Sequence, residues 1–243
     1  MPASKPDLPR AEVMERLEIT ADLVVLKLRP EVEFEFHSGQ YTTLEKDGIE
    51  RAYSIVSSPH EPILEIFVEL VRPPAGHLTP LLLELKKGDF VSIHPGGKGT
   101  FTLEADRPNQ FMVATVTGVA PFISMIRQYL HSGKRGLKFH LLHGASYQDE
   151  FGYREEMEAL ARKHPGSLAY VATVSRPGQE RNRAWQGLTG RVNRMVLEQI
   201  QRFGLKPGST RAYACGHPGM IQDVRKQLLP LGFEVKEEKY WTE

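Results

Sequence analysis

The sequence predicts a two-domain protein of the β plus α/β class, with an N-terminal antiparallel β-barrel followed by a Rossmann-like parallel α/β sheet. Residues 10–104 consist of short β-rich runs broken by turn signals such as KDG and KKGD. From about residue 108, strands alternate with helices, an order typical of a parallel sheet covered on both faces. The 243 residues are enough for two domains, and we place the boundary at RPNQ, giving units 1–106 and 107–243.

The barrel half contains six runs that predict strands and one that predicts a helix. The strand runs are, in order, MERLEIT, DLVVLKLR, GQYTTLE, RAYSIVS, ILEIFVELV and DFVSIHP. The stretch PAGHLTPLLLEL, residues 74–85, interrupts them and places leucines at helical spacing. We therefore expect one helix to cap the barrel.

The second half predicts five strands separated by four helices. The strand runs are FMVAT, LKFHLLHG, LAYVATVS, RAYACG and FEVKEE. The helical runs are VAPFISMIRQYL, DEFGYREEMEALARK, GRVNRMVLEQIQRF and PGMIQDVRKQLL. Open parallel sheets bind ligands at the carboxyl ends of their strands, so we expect the functional site there.

Composition limits the partners that this chain can be expected to have. A net charge of +1 gives no general attraction to nucleic acid or to an anionic membrane. No segment approaches 18 consecutive apolar residues, and MPASKPDLPR lacks the apolar core of an export signal, so we expect a cytoplasmic monomer. Cys215 is the only cysteine and the nine histidines show no ligand spacing, so no metal site is expected.

The stretch RAYSIVSSP, residues 51–59, combines a cation, a phenol and a hydroxyl within four positions. Strand alternation places Arg51, Tyr53 and Ile55 on one face and Ala52, Ser54 and Val56 on the other. One interpretation is an edge strand with a solvated polar face. The other is a ligand with a negative group and a flat ring lying along the strand.

Three strand ends in the second half carry small residues that lead into helices: ATVTGVAPF, VSRPGQ and CGHPGM. Glycine permits close backbone approach, and a helix N-terminus attracts anions, so Thr117 and Gly118 suit a dinucleotide pyrophosphate. Arg176 and Arg191 would suit the 2′-phosphate that distinguishes NADP from NAD, because arginine binds phosphate with a rigid fork. The alternative for both arginines is ordinary solvent exposure.

The motifs of the two halves follow one another in an order that resembles the ferredoxin–NADP reductases of the bacterial type. In chain order they are RAYSIVSSP, PAGHLTPLL, TVTGVAPF, VSR with GLTGR, CGHPGM and KYW. The resemblance extends from about residue 12 to residue 243. It implies an FAD enzyme that exchanges two single electrons with ferredoxin or flavodoxin and one hydride with NADP(H). The implied partner is thus a small acidic electron carrier.

The resemblance also implies a role for each matching residue in FAD binding. Arg51 would pair with the FAD pyrophosphate, Tyr53 would lie against the ring, and Ser54 would bond near flavin N5. Because alternation separates Tyr53 from Ser54, we expect an irregular strand there. The remaining implied FAD residues are Ala52, the main-chain groups of Ile55 and Val56, Gly76, His77, Leu78, Thr79 and Thr100.

A second set of residues is implied to bind NADP. It comprises Thr115, Thr117, Gly118, Val119, Ser175, Arg176, Arg191, Cys215 and Gly216. Cys215 would lie near the nicotinamide and act with Ser54 and Tyr240 as a catalytic residue, whereas the plain interpretation of this cysteine is a small buried side chain. By the same resemblance, Tyr240 would cover the flavin face and Trp241 would stack on the FAD adenine.

Two positions depart from the family pattern. Val116 stands where the family commonly has glycine, and a β-branched residue restricts the backbone. Ser146 stands where some relatives carry an arginine, so one phosphate contact is expected to be missing. Two alternatives therefore stay open: an NADH-dependent flavin reductase or oxygenase reductase component, and a nucleotide-binding regulatory subunit without turnover.

Overall fold

The protein consists of two six-stranded sheets, one antiparallel and one parallel, joined by a short connection. The structure is a computed structural model that describes residues 8–239. The first sheet uses β1 to β6 and the second uses β7 to β12. The predicted fold class is confirmed: an antiparallel N-terminal unit precedes a parallel sheet with helices.

The antiparallel sheet has the strand order β4-β3-β6-β1-β2-β5. Its ends are joined by a bridge between Ile55, just after β4, and Ile66 in β5, which closes the sheet into a barrel. Alternating apolar side chains such as Val24, Leu26 and Leu28 of β2 fill its interior. The strands are β1 Arg10–Thr20, β2 Leu23–Pro30, β3 Tyr41–Lys46, β4 Ile49–Ser54, β5 Leu64–Glu69 and β6 Phe90–Ile93.

The predicted capping helix is present as α1, Leu78–Leu83. Leu78 and Leu82 of this helix are buried in the barrel core, as their spacing predicts. Leu85 lies beyond the last helical residue, but it is buried in the same cluster.

The parallel sheet has the strand order β10-β9-β8-β7-β11-β12. Its strands are β7 Asn109–Thr115, β8 Lys138–Ala145, β9 Leu168–Val174, β10 Leu188–Thr189, β11 Thr210–Gly216 and β12 Glu234–Lys239. The helices are α2 Ala120–His131, α3 Arg154–Lys163, α4 Val196–Arg202 and α5 Pro218–Leu228. The two-residue edge strand β10 is the element that the sequence patterns did not predict.

The apolar core does not stop at the connection between the two sheets. Phe101, which follows the barrel, lies 5.8 Å from Phe122 of α2 and 6.0 Å from Tyr213 of β11, measured between ring centroids. Val56 and Phe67 of the barrel belong to the same buried cluster. One buried cluster, which we call the shared core, therefore contains residues of both sheets, while the barrel interior forms a cluster of its own.

A largely buried arginine, Arg127, adds a polar connection between the two units. The Arg127 guanidinium of α2 makes two hydrogen bonds of 2.7 Å to Glu156 of α3 and one of 2.9 Å to Glu65 of β5. Glu61 lies 3.4 Å from the same group. Burying a guanidinium is costly unless it is paired, and these carboxylates supply the compensating charge.

Candidate active site

One cavity of about 660 Å³ lies between the barrel and the carboxyl ends of the parallel strands. It contains most of the residues singled out in the sequence, drawn from both domains. From the barrel these are Arg51, Ala52, Tyr53, Ser54, Gly76, His77, Leu78 and Thr79. From the parallel sheet they are Thr115, Thr117, Ser175, Arg176, Arg191 and Gly216.

The strand β4 changes partner at the point where it enters the cavity. Its ladder with β3 ends at the pair of Ser54 and Tyr41, and the next residue, Ile55, bridges to Ile66 of β5. Tyr53 and Ser54 both line the cavity despite their adjacent positions. The irregularity expected at this point is thus present.

Ile55 and Val56 lie just beyond the end of β4, behind the cavity wall. Neither lines the cavity, and their side chains are fully buried. The Ile55 N–H donates to the Gln40 carbonyl at 3.0 Å, and the Val56 N–H donates to the Glu65 carbonyl at 2.9 Å. Both N–H groups are thus used within the barrel, and the expectation that main-chain groups of Ile55 and Val56 bond a ligand stays a prediction.

The loop before α1 is held tightly against Val71, which follows β5. A Cβ on Gly76 would lie 2.3 Å from the Val71 carbonyl oxygen, so only glycine fits there. The Thr79 hydroxyl accepts from the Val71 N–H at 2.9 Å and donates to the Val71 carbonyl at 3.0 Å. This hydroxyl therefore shapes the loop, and because Thr79 also lines the cavity, its contact with phosphate stays a prediction.

Four other predicted residues do not line the cavity. They are Thr100, Gly118, Val119 and Cys215. Cys215 and Val119 are fully buried in the shared core, while Thr100 is exposed in the loop after β6. For Cys215 the structure therefore matches the plain interpretation, a small buried side chain.

Gly118 has a structural reason for its identity. A Cβ at this position would lie 2.3 Å from the Cys215 carbonyl oxygen, so the turn after β7 packs directly on the end of β11. Gly216 has φ +124°, and a Cβ there would lie 2.3 Å from Thr115 Oγ1. These two glycines bring the ends of neighbouring strands close enough to form one wall of the cavity.

Three arginines of the cavity lack the acidic partners that many other arginines of this chain have. Within residues 8–239, Arg51, Arg176 and Arg191 form no ion pair with a carboxylate. Arg51 donates to the Glu50 carbonyl at 2.7 Å, and Arg176 donates to the Tyr147 hydroxyl at 2.9 Å. Glu69 and Asp223 also line the cavity, and the three arginines, which make no ion pair within residues 8–239, suit a ligand with several phosphate groups.

The loop that carries Ser146 lies beside Arg176. Ser146 lines the cavity, and its N–H donates to Glu150 Oε2 at 2.8 Å. The Tyr147 hydroxyl donates to Gln179 Oε1 at 2.5 Å and so orients the ring beside Arg176. The chain thus has a neutral side chain at the position where some relatives carry an arginine.

Sequence patterns did not identify Glu238, which contacts a predicted site residue. The Ser54 hydroxyl donates to Glu238 Oε2 at 3.1 Å, and Glu238 lies in β12. Burial raises the pKa of the Glu238 carboxyl to about 7, although the hydrogen bond from Ser54 acts in the opposite direction. The acidic run KEEK was the one available signal.

The roles predicted for Tyr240 and Trp241 are not tested by the described residues. Tyr240 and Trp241 lie outside residues 8–239, and their roles stay predictions. Within the described part of the chain, no group of three or more metal-ligating side chains comes together. In the same residues, no helix is both long and apolar enough to cross a membrane.

The cavity carries groups suited to extended nucleotides on both of its walls. It combines a tyrosine beside the end of β4, three arginines and glycine turns at two strand ends, on walls that belong to different domains. A flat ring could pack on Tyr53, and phosphates could reach the arginines and turns. FAD and NADP are compatible with this set of groups.

A family model described as the oxidoreductase NAD-binding domain matches residues 112–226. Curated relatives match more of the chain. The flavodoxin/ferredoxin–NADP reductase of Buchnera aphidicola subsp. Schizaphis graminum is 31% identical over 95% of this chain and 98% of its own. The protein of the same name from Escherichia coli strain K12 is 33% identical over 78% of this chain and 77% of its own.

The fold has a similar solved structure. The crystal structure of a ferredoxin NADP+ reductase from Neisseria gonorrhoeae, with bound FAD and NADP, matches with a TM-score of 0.84 and 24% identity. It covers 98% of this chain and all of that chain. The barrel, the parallel sheet and the cavity between them are those of a two-domain nucleotide-dependent oxidoreductase. The chain belongs to the flavodoxin/ferredoxin–NADP reductase family.

Proposed function

We propose that this protein is an FAD-dependent ferredoxin/flavodoxin–NADP(+) reductase. The observation that carries the proposal is the single cavity to which the barrel contributes Arg51, Tyr53 and Ser54 and the parallel sheet contributes Arg176 and Arg191. FAD, when bound, supplies the ability to exchange one hydride with a nicotinamide and single electrons with a protein carrier. The task of the chain is to hold both nucleotides in that cavity.

The barrel wall would hold FAD. Arg51 would bind the pyrophosphate through charge-assisted hydrogen bonds, and Tyr53 would support the ring. The loop at Gly76 and His77 would border the phosphates. Tyr240 and Trp241 would complete this half, as the family resemblance implies.

The wall formed by the parallel sheet would hold NADP(H). Its pyrophosphate would lie on the turn at Thr115 to Thr117, and Arg176 with Arg191 would bind the 2′-phosphate. The support is that both arginines face the cavity and lack carboxylate partners within residues 8–239. Gly216 would allow the nicotinamide end to approach the barrel.

Ser54 and Glu238 would hold a proton beside the reacting ring. With a pKa of about 7, the Glu238 carboxyl can be protonated or charged near neutral pH. Its contact with the Ser54 hydroxyl connects that proton to the cavity wall. We assign Ser54 as the residue nearest the ring and Glu238 as its proton-holding partner.

The electron partner would be a small redox protein, as the names of the relatives indicate for those proteins. Ferredoxin or flavodoxin of acidic character is the specific form of this proposal. One copy of the chain supplies both walls of the cavity, which supports a monomer. Neither nucleic acid nor a membrane is required, and a cytoplasmic location fits this role.

One observation favours a second candidate, an NADH-using reductase component. Ser146 stands where some relatives carry an arginine, so selectivity for the 2′-phosphate would depend on Arg176 and Arg191. The chain is also 32% identical to a component of the Na(+)-translocating NADH-quinone reductase of Neisseria gonorrhoeae, over 80% of this chain and 49% of that one.

Two measurements on purified protein test the proposal. The absorption spectrum should show a flavin that is released as FAD, and kcat/KM for reduction of a dye should be higher with NADPH than with NADH. Protein that cannot be reconstituted with FAD would overturn the proposal. A preference for NADH would favour the reductase component, and no reduction by either nucleotide would favour a regulatory subunit.

A further inference from the structure

The turn after β7 contains a backbone conformation that its residue type does not favour. Val116 has φ +43°, in the left-handed region, between Thr115 and Thr117 on the cavity wall. β-Branched residues are rare in this region because the branched side chain crowds the backbone. Of the two non-glycine residues with positive φ among residues 8–239, the other is Asp47, a residue type that adopts it more readily.

A buried histidine holds the carbonyl group of this strained residue. His143 of β8 is 1% exposed, and its Nε2 lies 2.9 Å from the Val116 carbonyl oxygen. A carbonyl can only accept, so Nε2 carries the proton and Nδ1 is an acceptor. The Tyr170 hydroxyl, 3.1 Å from Nδ1, then donates to it. The Tyr170 hydroxyl thus donates a hydrogen bond to His143, and His143 donates one to the Val116 carbonyl.

The surroundings of His143 maintain this neutral tautomer. Burial lowers the pKa of His143 to about 4, so the ring stays uncharged at neutral pH. The Phe151 ring packs edge-on against the imidazole at 4.9 Å, which fixes its plane. A strained backbone conformation persists only where surrounding contacts hold it in place. The contacts of His143 hold the Val116 backbone in this way.

We propose that His143 is a positioning residue for nucleotide binding, which holds the strained Val116 backbone in the conformation that shapes the nucleotide side of the cavity. The inference rests on the proposed function, because it assigns NADP(H) to the turn at Thr115 to Thr117. A glycine at residue 116 would adopt the same φ without strain, so the need for His143 arises from the valine. His143 and Val116 are therefore energetically coupled.

The test is a double-mutant cycle measured by NADP+ titration of the oxidised holoenzyme, followed by the flavin difference spectrum. His143→Leu should weaken NADP+ binding by about 10-fold while FAD content stays at the wild-type level. His143→Gln, which keeps a donor near the Nε2 position, should restore most of the affinity. His143→Leu with Val116→Gly should bind within about 3-fold of Val116→Gly alone.

His140→Leu is the matched control, because it removes another histidine from β8 that does not line the cavity. It should leave NADP+ affinity unchanged. If His143→Leu does not fold, Tyr170→Phe replaces it and should weaken binding by about 3-fold, an effect that Val116→Gly cancels.

Three results would overturn the proposal: unchanged affinity in His143→Leu, equal losses in the presence and absence of Val116→Gly, or an equal loss in His140→Leu. The wild-type titration separates this inference from the proposed function. No spectral change with NADP+ in the wild-type holoenzyme would overturn both. Normal wild-type binding with an additive cycle would overturn only the role of His143.

Discussion

Ser54 Oγ lies 3.1 Å from Glu238 Oε2, and this hydrogen bond joins residues 184 positions apart in the chain. Ser54 ends a barrel strand, whereas Glu238 lies in the last strand of the parallel sheet. The contact brings a group that can hold a proton to the place where the two domains face each other. Its partners also show how the site depends on both domains at once.

The raised pKa of Glu238 predicts a particular pH dependence. Because the folded pKa of about 7 exceeds the ordinary value of 4.5, the folded state holds a proton that the unfolded state has released between these values. The contribution of Glu238 to the free energy of unfolding should therefore fall as pH rises from 4.5 to 7, so the stability of the wild type relative to Glu238→Gln should fall over this range. Urea unfolding across this range measures it.

The same substitution should also change the kinetics. An inflection near pH 7 in the rate of flavin reduction by NADPH should be present in the wild type and absent in Glu238→Gln. Glu237→Gln is the control, because Glu237 pairs with Arg225 on the surface. An inflection that persists in Glu238→Gln would assign the proton to another group.

Arg51→Ala should lose FAD. The arginine lies in the cavity without a carboxylate partner among residues 8–239, and charge-assisted bonds to phosphate are the stronger class of hydrogen bond. The ratio of flavin to protein after extensive dialysis measures the effect. Arg10→Ala, which removes a barrel arginine paired with Glu31, should keep its flavin. Full occupancy in Arg51→Ala would argue against pyrophosphate binding by this residue.

Replacement of Arg176 or Arg191 by alanine should raise KM for NADPH by about 10-fold or more, as expected for loss of a charged hydrogen bond of about 1.5–3 kcal/mol. KM for NADH should change little, because NADH lacks the 2′-phosphate. Arg183→Ala is the control, since Arg183 is exposed and pairs with Glu180. Equal losses with both nucleotides would mean that the arginines bind a different part of the molecule.

Gly118→Ala should lower the free energy of unfolding by about 1–3 kcal/mol, because its Cβ would lie 2.3 Å from a backbone carbonyl of β11. NADP+ affinity should fall as well, since the turn would be displaced from the wall of the cavity. Gly166→Ala has open space around its Cβ and should change stability by less than about 0.5 kcal/mol. Urea unfolding of both variants tests this, and equal stabilities would contradict the close approach.

Local patterns were sufficient to predict most of the fold. Alternation in strands and leucine spacing before residue 85 are properties of short windows, so the barrel, its helix and the parallel sheet followed from them. β10 has two residues, Leu188 and Thr189, and is too short to produce a pattern. Its pairing with β9 becomes visible only in the folded sheet.

The site was predictable where residue type alone determines the chemistry. The motif arginines line the cavity together with Gly76 and Gly216, but Glu238 did not stand out, because its partner Ser54 is distant in sequence. The main-chain groups of Ile55 and Val56 were assigned to a ligand, and in the structure their N–H groups donate to the Gln40 and Glu65 carbonyls. The sequence does not predict these backbone bonds, because the pairing of Ile55 with Ile66 depends on how the whole sheet curves.

The contacts between the two domains limit which related proteins could exchange one domain with this chain. A chimera that joined this barrel to a foreign nucleotide-binding half would separate Phe101 from Phe122 and Tyr213, and Glu65 from Arg127. The graft would then expose apolar side chains and leave charges without the partners they have here. The two domains should therefore be exchanged together. A crossover at residue 107 would give a stable chimera only between parent proteins that have matching residues at these contacts.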